Sequence, residues 1–191
     1  GKITVINVVD IEDYIRGVLP YEMNNQWPAE ALKAQAVCAR TFAANHFDAY
    51  KSYGFDITND AYSQVYRGMS LSTPYSDQLV EGTKGIYITH EGKLISSMYY
   101  SSNGGGSENS ENVLLEAVPY LRGKLDPYEA AASEINGLSS WTKTLTRDEI
   151  LQALMNKGFY EIGTIAAIVP TYSETGNVIS LQITDVYGRS L

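Results

Sequence analysis

The run Trp27-Pro28-Ala-Glu-Ala-Leu-Lys-Ala-Gln-Ala-Val-Cys-Ala-Arg40 most narrows what this chain can become. Proline suits the first position of a helix, and Ala, Leu, Lys and Gln propagate it. A long, tightly packable Ala-rich helix, central to the fold, is therefore expected from this point. Just ahead of it stands Glu22, a lone carboxylate flanked by Pro20, Met23, Trp27 and Pro28. A carboxyl held among apolar side chains loses hydration, which favours its protonated form. Such an acid can donate a proton near neutral pH.

At 100° per residue, Leu32, Gln35, Ala39, Phe42, Ala43, His46 and Tyr50 fall on one stripe, with Glu30, Lys33, Thr41, Asn45 and Asp48 opposite. Gln35 and His46 thus lie in line on the apolar face. His46 is read as a hydrogen-bonded polar group of the core, and Gln35 either in the same way or as support for a site.

Around this stretch the pattern alternates between strand and helix signals. Lys2 to Val9 is β-branched and predicts a strand. Asp10 can cap a short helix, with Asp13 near its positive end. Pro20 is expected to end that helix, leaving Tyr21 to Trp27 as a loop that presents Glu22. Gly54 fits a stop for the Ala-rich helix, and Gln64 to Gly68 reads as a short extended piece. Ser72 or Thr73 with Pro74 opens a helix to about Glu81. Ile86 to Thr89 and Leu94 to Tyr100 predict a hairpin around Glu91-Gly92-Lys93. It runs into Ser101-Ser-Asn-Gly-Gly-Gly-Ser-Glu108, where glycine allows close backbone approach to a ligand.

Glu111 to Asn136 reads as irregular surface loop. Trp141 to Leu145 reads as a strand, Thr146 with Glu149 as a capping box for a helix to Asn156, and Gly158 as its stop. Ile165 to Tyr172 and Val178 to Thr184 predict a second hairpin. With no internal repeat and no low-complexity linker, the expectation is one mixed α+β domain over residues 1–191, its hairpins and long loops forming a cleft.

Composition limits the partners. A formal net charge of -8 argues against nucleic acid and anionic membrane. No apolar run approaches a membrane span and no signal segment precedes Lys2, so the chain as given is expected to be soluble, which is compatible with removal of a leader or anchor. The 15 Tyr and 2 Trp, against 4 Phe, offer flat faces with polar edges of the kind that line carbohydrate clefts. The single cysteine, Cys38, excludes an internal disulfide and a cysteine cluster for zinc.

Nucleophile pairs fare poorly. Cys38 and His46 are separated by roughly 12 Å along one helix and cannot form a dyad. The other histidine, His90, sits in an expected hairpin without a partner motif. Carboxylate chemistry remains, with several carboxylates available.

The residues also carry a resemblance. Tyr14-Ile-Arg-Gly-Val-Leu-Pro-Tyr-Glu-Met23, Trp27 to Thr41, Gln64-Val-Tyr-Arg-Gly68, Thr83-Lys-Gly85, Tyr99-Tyr-Ser-Ser-Asn-Gly-Gly105, Pro119-Tyr-Leu121 and Asp126-Pro127 resemble, in order and spacing, the stage II sporulation protein D family, which includes amidase enhancers of bacterial cell walls. The resemblance implies a lytic transglycosylase of the cell envelope, outside the cytoplasm and secreted or membrane-anchored in full-length form. It would act on peptidoglycan glycan strands stripped of stem peptides, with a cell-wall amidase or other sporulation proteins as further partners. The chain would be a piece trimmed at both ends.

Carried over to this sequence, Glu22 is the catalytic acid/base, which agrees with the lone carboxylate read above. One glutamate can serve both half-steps when the sugar's own 6-hydroxyl closes a 1,6-anhydro ring, so no second carboxylate is required. Candidates to bind and distort the sugar are Gln64, Tyr66, Tyr99, Ser101, Ser102 and the Gly104-Gly105 backbone, with strand packing as the alternative for Gln64 and Tyr66. Arg40 and Arg67 are candidates to meet the lactyl carboxylate of muramic acid, with a structural ion pair as the alternative for each. Gln35 would stand behind the site.

Some members of that family hold zinc through cysteine and histidine after the long helix. Phe55 to Tyr62 contains neither, so no structural zinc and no cofactor are expected. Two rivals stand beside this reading. One is a glycan-binding amidase enhancer that cleaves nothing. The other is an inverting hydrolase, whose second carboxylate, Asp13, Glu30 or Glu108, would lie roughly 6.5–9.5 Å from Glu22.

Overall fold

The computed structural model describes residues 3–136 and 140–191. Its architecture is α+β, and the chain divides into two compact units, Gly1–Tyr99 and Tyr100–Leu191.

The first unit is built on three helices: α1 (Ile11–Glu22), α2 (Ala29–Asn45) and α3 (Pro74–Glu81). The Asp10 carboxylate caps α1 by accepting from the Glu12 N–H at 2.8 Å. Pro20 lies inside α1 rather than after it. A proline removes its own N–H bond and crowds the carbonyl of the preceding turn, yet the ladder resumes beyond it, with Met23 N–H donating to Leu19 O at 3.0 Å. The helix therefore runs on to Glu22, which is its last residue and not part of a loop. Its apolar stripe of Tyr14, Ile15, Val18 and Leu19 packs on Leu32, Ala36, Ala39 and Ala43 of α2 and on Leu79 and Val80 of α3. The small side chains of α2 let the helices approach closely.

Helix α2 begins directly after Pro28 and stops at Asn45, short of the Gly54 stop expected from the pattern. The imidazole of His46 explains the stop: its Nδ1 lies 2.8 Å from Phe42 O, and its ring stacks on that of Phe42. Two residues on, Asp48 turns into the left-handed region with φ 67. Gly54 instead closes a short 3-10 turn over Lys51–Tyr53 with φ 84. Helix α3 starts as Thr73-Pro74 predicts, with Thr73 and Ser76 forming a reciprocal cap.

Two strands fall short of expectation. Residues 3–9 make no strand; Ile3, Val5 and Val8 are largely exposed. The β-branched pattern has no pairing edge beside it, and a strand without a ladder is not stable. The hairpin after α3 shrinks to β1 (Thr89–His90) and β2 (Lys93–Leu94). It turns on Glu91 and Gly92, both at positive φ (50 and 77), as a two-residue hairpin loop demands.

In the second unit, Glu111 to Asn136 is less irregular than expected, since α4 (Ser110–Leu114) and α5 (Glu129–Asn136) occur there. Trp141 to Leu145 forms no strand. Thr146 and Glu149 do form their capping box at the head of α6 (Arg147–Asn156). Strands β3 (Ile165–Tyr172) and β4 (Val178–Asp185) pair antiparallel, with Ile168 opposite Ile183 and Thr171 opposite Ser180. Ile162, Ile165 and Ile183 form a small core against Ile150, Leu151 and Leu154 of α6.

Candidate active site

Glu22 ends α1 half-buried, and its Oε1 accepts a hydrogen bond from the Tyr99 hydroxyl at 3.2 Å. Tyr99 is in turn the acceptor for Gln64 Nε2 at 3.0 Å, and Gln64 Oε1 accepts from the Tyr14 hydroxyl at 3.2 Å. The second amide proton of Gln64 goes to Ala39 O on α2 at 3.3 Å. The result is a one-way array, Tyr14 to Gln64 to Tyr99 to Glu22, in which every link donates toward the carboxylate.

Burial pushes the Tyr14 phenol well above the ordinary tyrosine range, and the neighbouring Tyr99 and Glu22 add to it. Burial likewise leads for Tyr99; the bond from Gln64 works against the shift and Glu22 adds to it. Both phenols therefore keep their protons and stay donors at any pH the fold tolerates.

Tyr14 escaped the sequence reading. The available signal was its place on the apolar face of an amphipathic helix, where a hydroxyl must find a partner. Its ring stacks on Tyr66 with centroids 5.1 Å apart. Tyr66 lies against Gly17 of α1, and its hydroxyl accepts from Asn7 Nδ2 at 3.3 Å. Only a residue without a side chain at position 17 leaves room for that ring.

The sequence candidates now separate by what their polar atoms are doing. Gln64 is 2% exposed and spends its amide inside the array, so it has no free surface for a sugar. It reaches the site through Tyr99. Arg40 is fully buried and makes a two-pronged pair with Glu12, at 3.0 and 2.7 Å, plus contacts to Val80 O, Ile86 O and Thr83 Oγ1. Its charge is neutralised within the core, which removes it as a partner for a lactyl carboxylate. The Thr83-Lys-Gly85 piece belongs to the same arrangement, because Gly85 N–H also donates to Glu12 Oε1 at 3.3 Å. Arg67, by contrast, is exposed and lies over the Tyr21 ring, 5.9 Å from its centroid. A cation is thereby held beside the residue that precedes Glu22. Gln35 is buried on α2, and its Nε2 has no partner.

Tyr66 and Arg67, with Tyr14, also line an open pocket of about 630 Å³ in the first unit, bordered by residues 4–9 and 54–60 among others. Glu22 is not among its lining residues.

Ser101, Ser102, Gly104 and Gly105 lie in the second unit. Gly104 and Gly105 have φ of 67 and 105, and the turn is tied down by Gly105 N–H to Asn103 Oδ1 at 2.9 Å. Asp126 N–H donates to Gly105 O at 2.9 Å, and Asn103 Nδ2 donates to Asp126 Oδ2 at 3.0 Å. The Gly-rich turn and Asp126-Pro127, two separate pieces of the sequence pattern, thus form one knot. Ser102 Oγ donates to the Glu129 carboxylate, while Ser101 is exposed.

The carboxylates considered as a second catalytic group are engaged elsewhere. Asp13 pairs with Arg16 at 2.6 Å, and nine residues of helix set it about 13 Å from Glu22 along the α1 axis. Glu30 pairs with Lys33 at 2.7 Å. Glu108 is held by Asn112, Thr175 and Asn177, and hydrogen bonds led by Ser173 lower its pKa to about 2.

Comparison with known proteins gives the same neighbourhood repeatedly. A family model described as "Stage II sporulation protein" matches residues 1–90. The chain is 36% identical over 181 residues to an uncharacterized protein of Brachyspira hyodysenteriae, covering 94% of this chain and 48% of that protein. It is 37% identical over 136 residues to the amidase enhancer of Bacillus subtilis, covering 71% of this chain and 17% of that protein. Stage II sporulation protein D of Bacillus amyloliquefaciens is 29% identical over 189 residues, covering 90% and 54%. The chain thus spans about half the length of the first and third of these relatives.

Proposed function

We propose, from the premise that this chain belongs to the stage II sporulation protein D family, that it is a peptidoglycan lytic transglycosylase with Glu22 as its acid/base. The observation that carries the reading is the Tyr99 hydrogen bond to Glu22 Oε1 at the end of a buried, one-way donor array. An array of this kind orients one carboxylate and leaves its other oxygen to face a substrate.

The reaction needs no water and no second carboxylate. Protonated Glu22 gives its proton to the oxygen linking C1 of N-acetylmuramic acid to N-acetylglucosamine, and the C1–O bond breaks. The 6-hydroxyl of the muramic sugar then attacks C1 and returns its proton to the Glu22 carboxylate, closing the 1,6-anhydro ring. Acid/base catalysis of this kind contributes about 10²- to 10⁴-fold. Exposed Arg67, over the Tyr21 ring, would meet the lactyl carboxylate as a local cation on an acidic chain. In the second unit, exposed Ser101 and the Gly104-Gly105 backbone remain proposed sugar contacts, and the protein would act outside the cytoplasm at the cell wall. Among the described residues no helix is long and apolar enough to cross a membrane.

A second reading has its own support in the 37% identity to an amidase enhancer. On that reading the same surface binds glycan and stimulates an amidase without cleavage. Mass spectrometry of peptide-free glycan strands after incubation with wild type and Glu22→Gln separates the two. Anhydromuramic ends from wild type alone are expected. Strands left intact by wild type, yet co-sedimenting with it, would establish the enhancer reading instead.

A further inference from the structure

Residues 3–9, Ile-Thr-Val-Ile-Asn-Val-Val, carry the composition of a strand without the partner of one. No backbone N–H or C=O of this run makes a hydrogen bond to another described residue. Its polar anchor is the Asn7 side chain, which donates to the Tyr66 hydroxyl at 3.3 Å. Unpaired main-chain groups beside exposed β-branched side chains are a template for another strand.

The run borders the open pocket of about 630 Å³, which Phe47, Phe55 and Ile57 also line. Val5 and Val8 are 88% and 94% exposed, against 46% and 36% for Ile6 and Val9. Part of the run therefore leans on the body of the unit, while the rest stands in solvent with its backbone. Asp56 and Asp60 belong to the same pocket. Asp56 Oδ1 accepts from Asp48 N–H at 3.0 Å, and Asp60 Oδ1 accepts from Thr58 Oγ1 and Tyr62 N–H at 2.8 and 3.0 Å. Among the described residues neither carboxylate forms an ion pair. Arg67 is the single cation in the lining, so the pocket is net negative.

We propose that residues 3–9 and this pocket form a docking site for an extended strand of another polypeptide, apolar at alternate positions and carrying lysine or arginine. The incoming main chain pairs with residues 3–9, its apolar side chains on one face enter the pocket, and its cation meets Asp56 or Asp60. Strand addition of this kind takes affinity from the main-chain ladder and specificity from the alternate side chains. It also accounts for a β-branched run held at the surface with no ladder of its own. The site lies within the first unit and involves no glycan, so it stands or falls apart from the Glu22 reading.

The probe is the end-capped peptide Lys-Val-Thr-Val-Thr-Val-Lys, titrated into the intact chain and followed by amide hydrogen exchange and by the fluorescence anisotropy of a labelled copy. Without peptide, the amides of residues 3–9 should exchange as in an unfolded chain. With peptide at about 1 mM, alternate amides of the run should become protected. Methylating every second backbone nitrogen of the peptide should weaken binding by about tenfold or more in one of the two phases and much less in the other. Asp56→Asn together with Asp60→Asn should weaken it by about fivefold. Val5→Pro and Val8→Pro fall in opposite phases of the ladder, so one of them removes a bonding N–H and should cost about tenfold in affinity. Tm should hold in both, because neither N–H bonds to the fold. The comparison of methylated peptides needs no protein variant.

An absence of protection at about 1 mM peptide, or binding indifferent to methylation in both phases, overturns the inference. Binding indifferent to the two aspartates removes a basic strand as the occupant and overturns it too. Protection of residues 3–9 that grows with protein concentration in the absence of peptide, with a dimer in sedimentation, would make the occupant a second copy of this chain, which is equally an overturning result.

Discussion

The Tyr99 hydroxyl donates to Glu22 Oε1 at 3.2 Å while accepting from Gln64 Nε2 at 3.0 Å, so its single proton has only one place to go. Tyr99→Phe keeps the ring and removes that proton. Glu22 then loses its orienting partner, and misplacement of a reacting group by about 1 Å can cost roughly 100-fold. The release of anhydromuramic ends should fall by about 10- to 100-fold, with co-sedimentation on glycan strands unchanged. Gln64→Leu should act in the same direction, because it frees Tyr99 to rotate.

Tyr14 and Tyr99 also fix an alkaline limit. Their folded-state phenols ionise well above the unfolded tyrosine value. The stability they carry is therefore complete below about pH 10 and is lost as pH rises above it, since the unfolded chain can release these protons and the folded one cannot. Ultraviolet titration should find two of the 15 tyrosines ionising only with loss of structure. In Tyr14→Phe one of those two late-ionising phenols should be gone, and alkaline unfolding should be less steep.

Arg40 and Glu12 form a pair that should tolerate joint replacement better than single replacement. Both are almost wholly buried, at 0% and 5% exposure. Arg40→Met leaves a buried carboxylate held only by the N–H of Gly85, and should cost about 3–5 kcal/mol. Arg40→Met combined with Glu12→Leu should recover most of that loss, as read by urea denaturation. Equal damage from the single and double variants would show that the remaining contacts of Arg40, to Val80 O and Ile86 O, dominate.

How much of this could be read from the sequence follows from the range of the forces involved. Caps and turns are local, so the Asp10, Thr73 and Thr146 helix starts and the β3–β4 hairpin were legible. Residues 3–9 failed as a strand because alternation reports a face and says nothing of a pairing edge. Glu22 stood out in the sequence as a lone carboxylate beside Pro20, Met23, Trp27 and Pro28, but its partner Tyr99 is 77 residues away in the chain. The same distance problem hid Gln64 as an internal link and made it resemble a sugar contact. Arg40 was open to two readings until Glu12, 28 residues earlier, was found beside it. Periodicity could place Gln35 on the apolar face, yet only packing shows that its donor is left over.

Gly17→Ala tests the close approach of Tyr66 to α1. An added Cβ would overlap Tyr66 Cε2 and stand 2.8 Å from its Cδ2 and 3.2 Å from Gly68 O. The ring cannot retreat easily because Tyr14 stacks on its face. Overpacking costs about 1–3 kcal/mol, against roughly 1 kcal/mol gained from better helix propensity, so a net loss is expected in thermal melts. Tyr66→Leu in the same chain should relieve it.

That contact has a meaning for descent as well as for packing. Positions 17 and 66 constrain each other across 49 residues of chain, so a lineage that enlarges the first must already have shrunk the second. Since Tyr66 also braces the tyrosine that begins the array toward Glu22, drift at position 17 is coupled to the geometry of the acid. A glycine that makes no polar contact thereby bears, through Tyr66 and Tyr14, on the orientation of the Glu22 carboxylate.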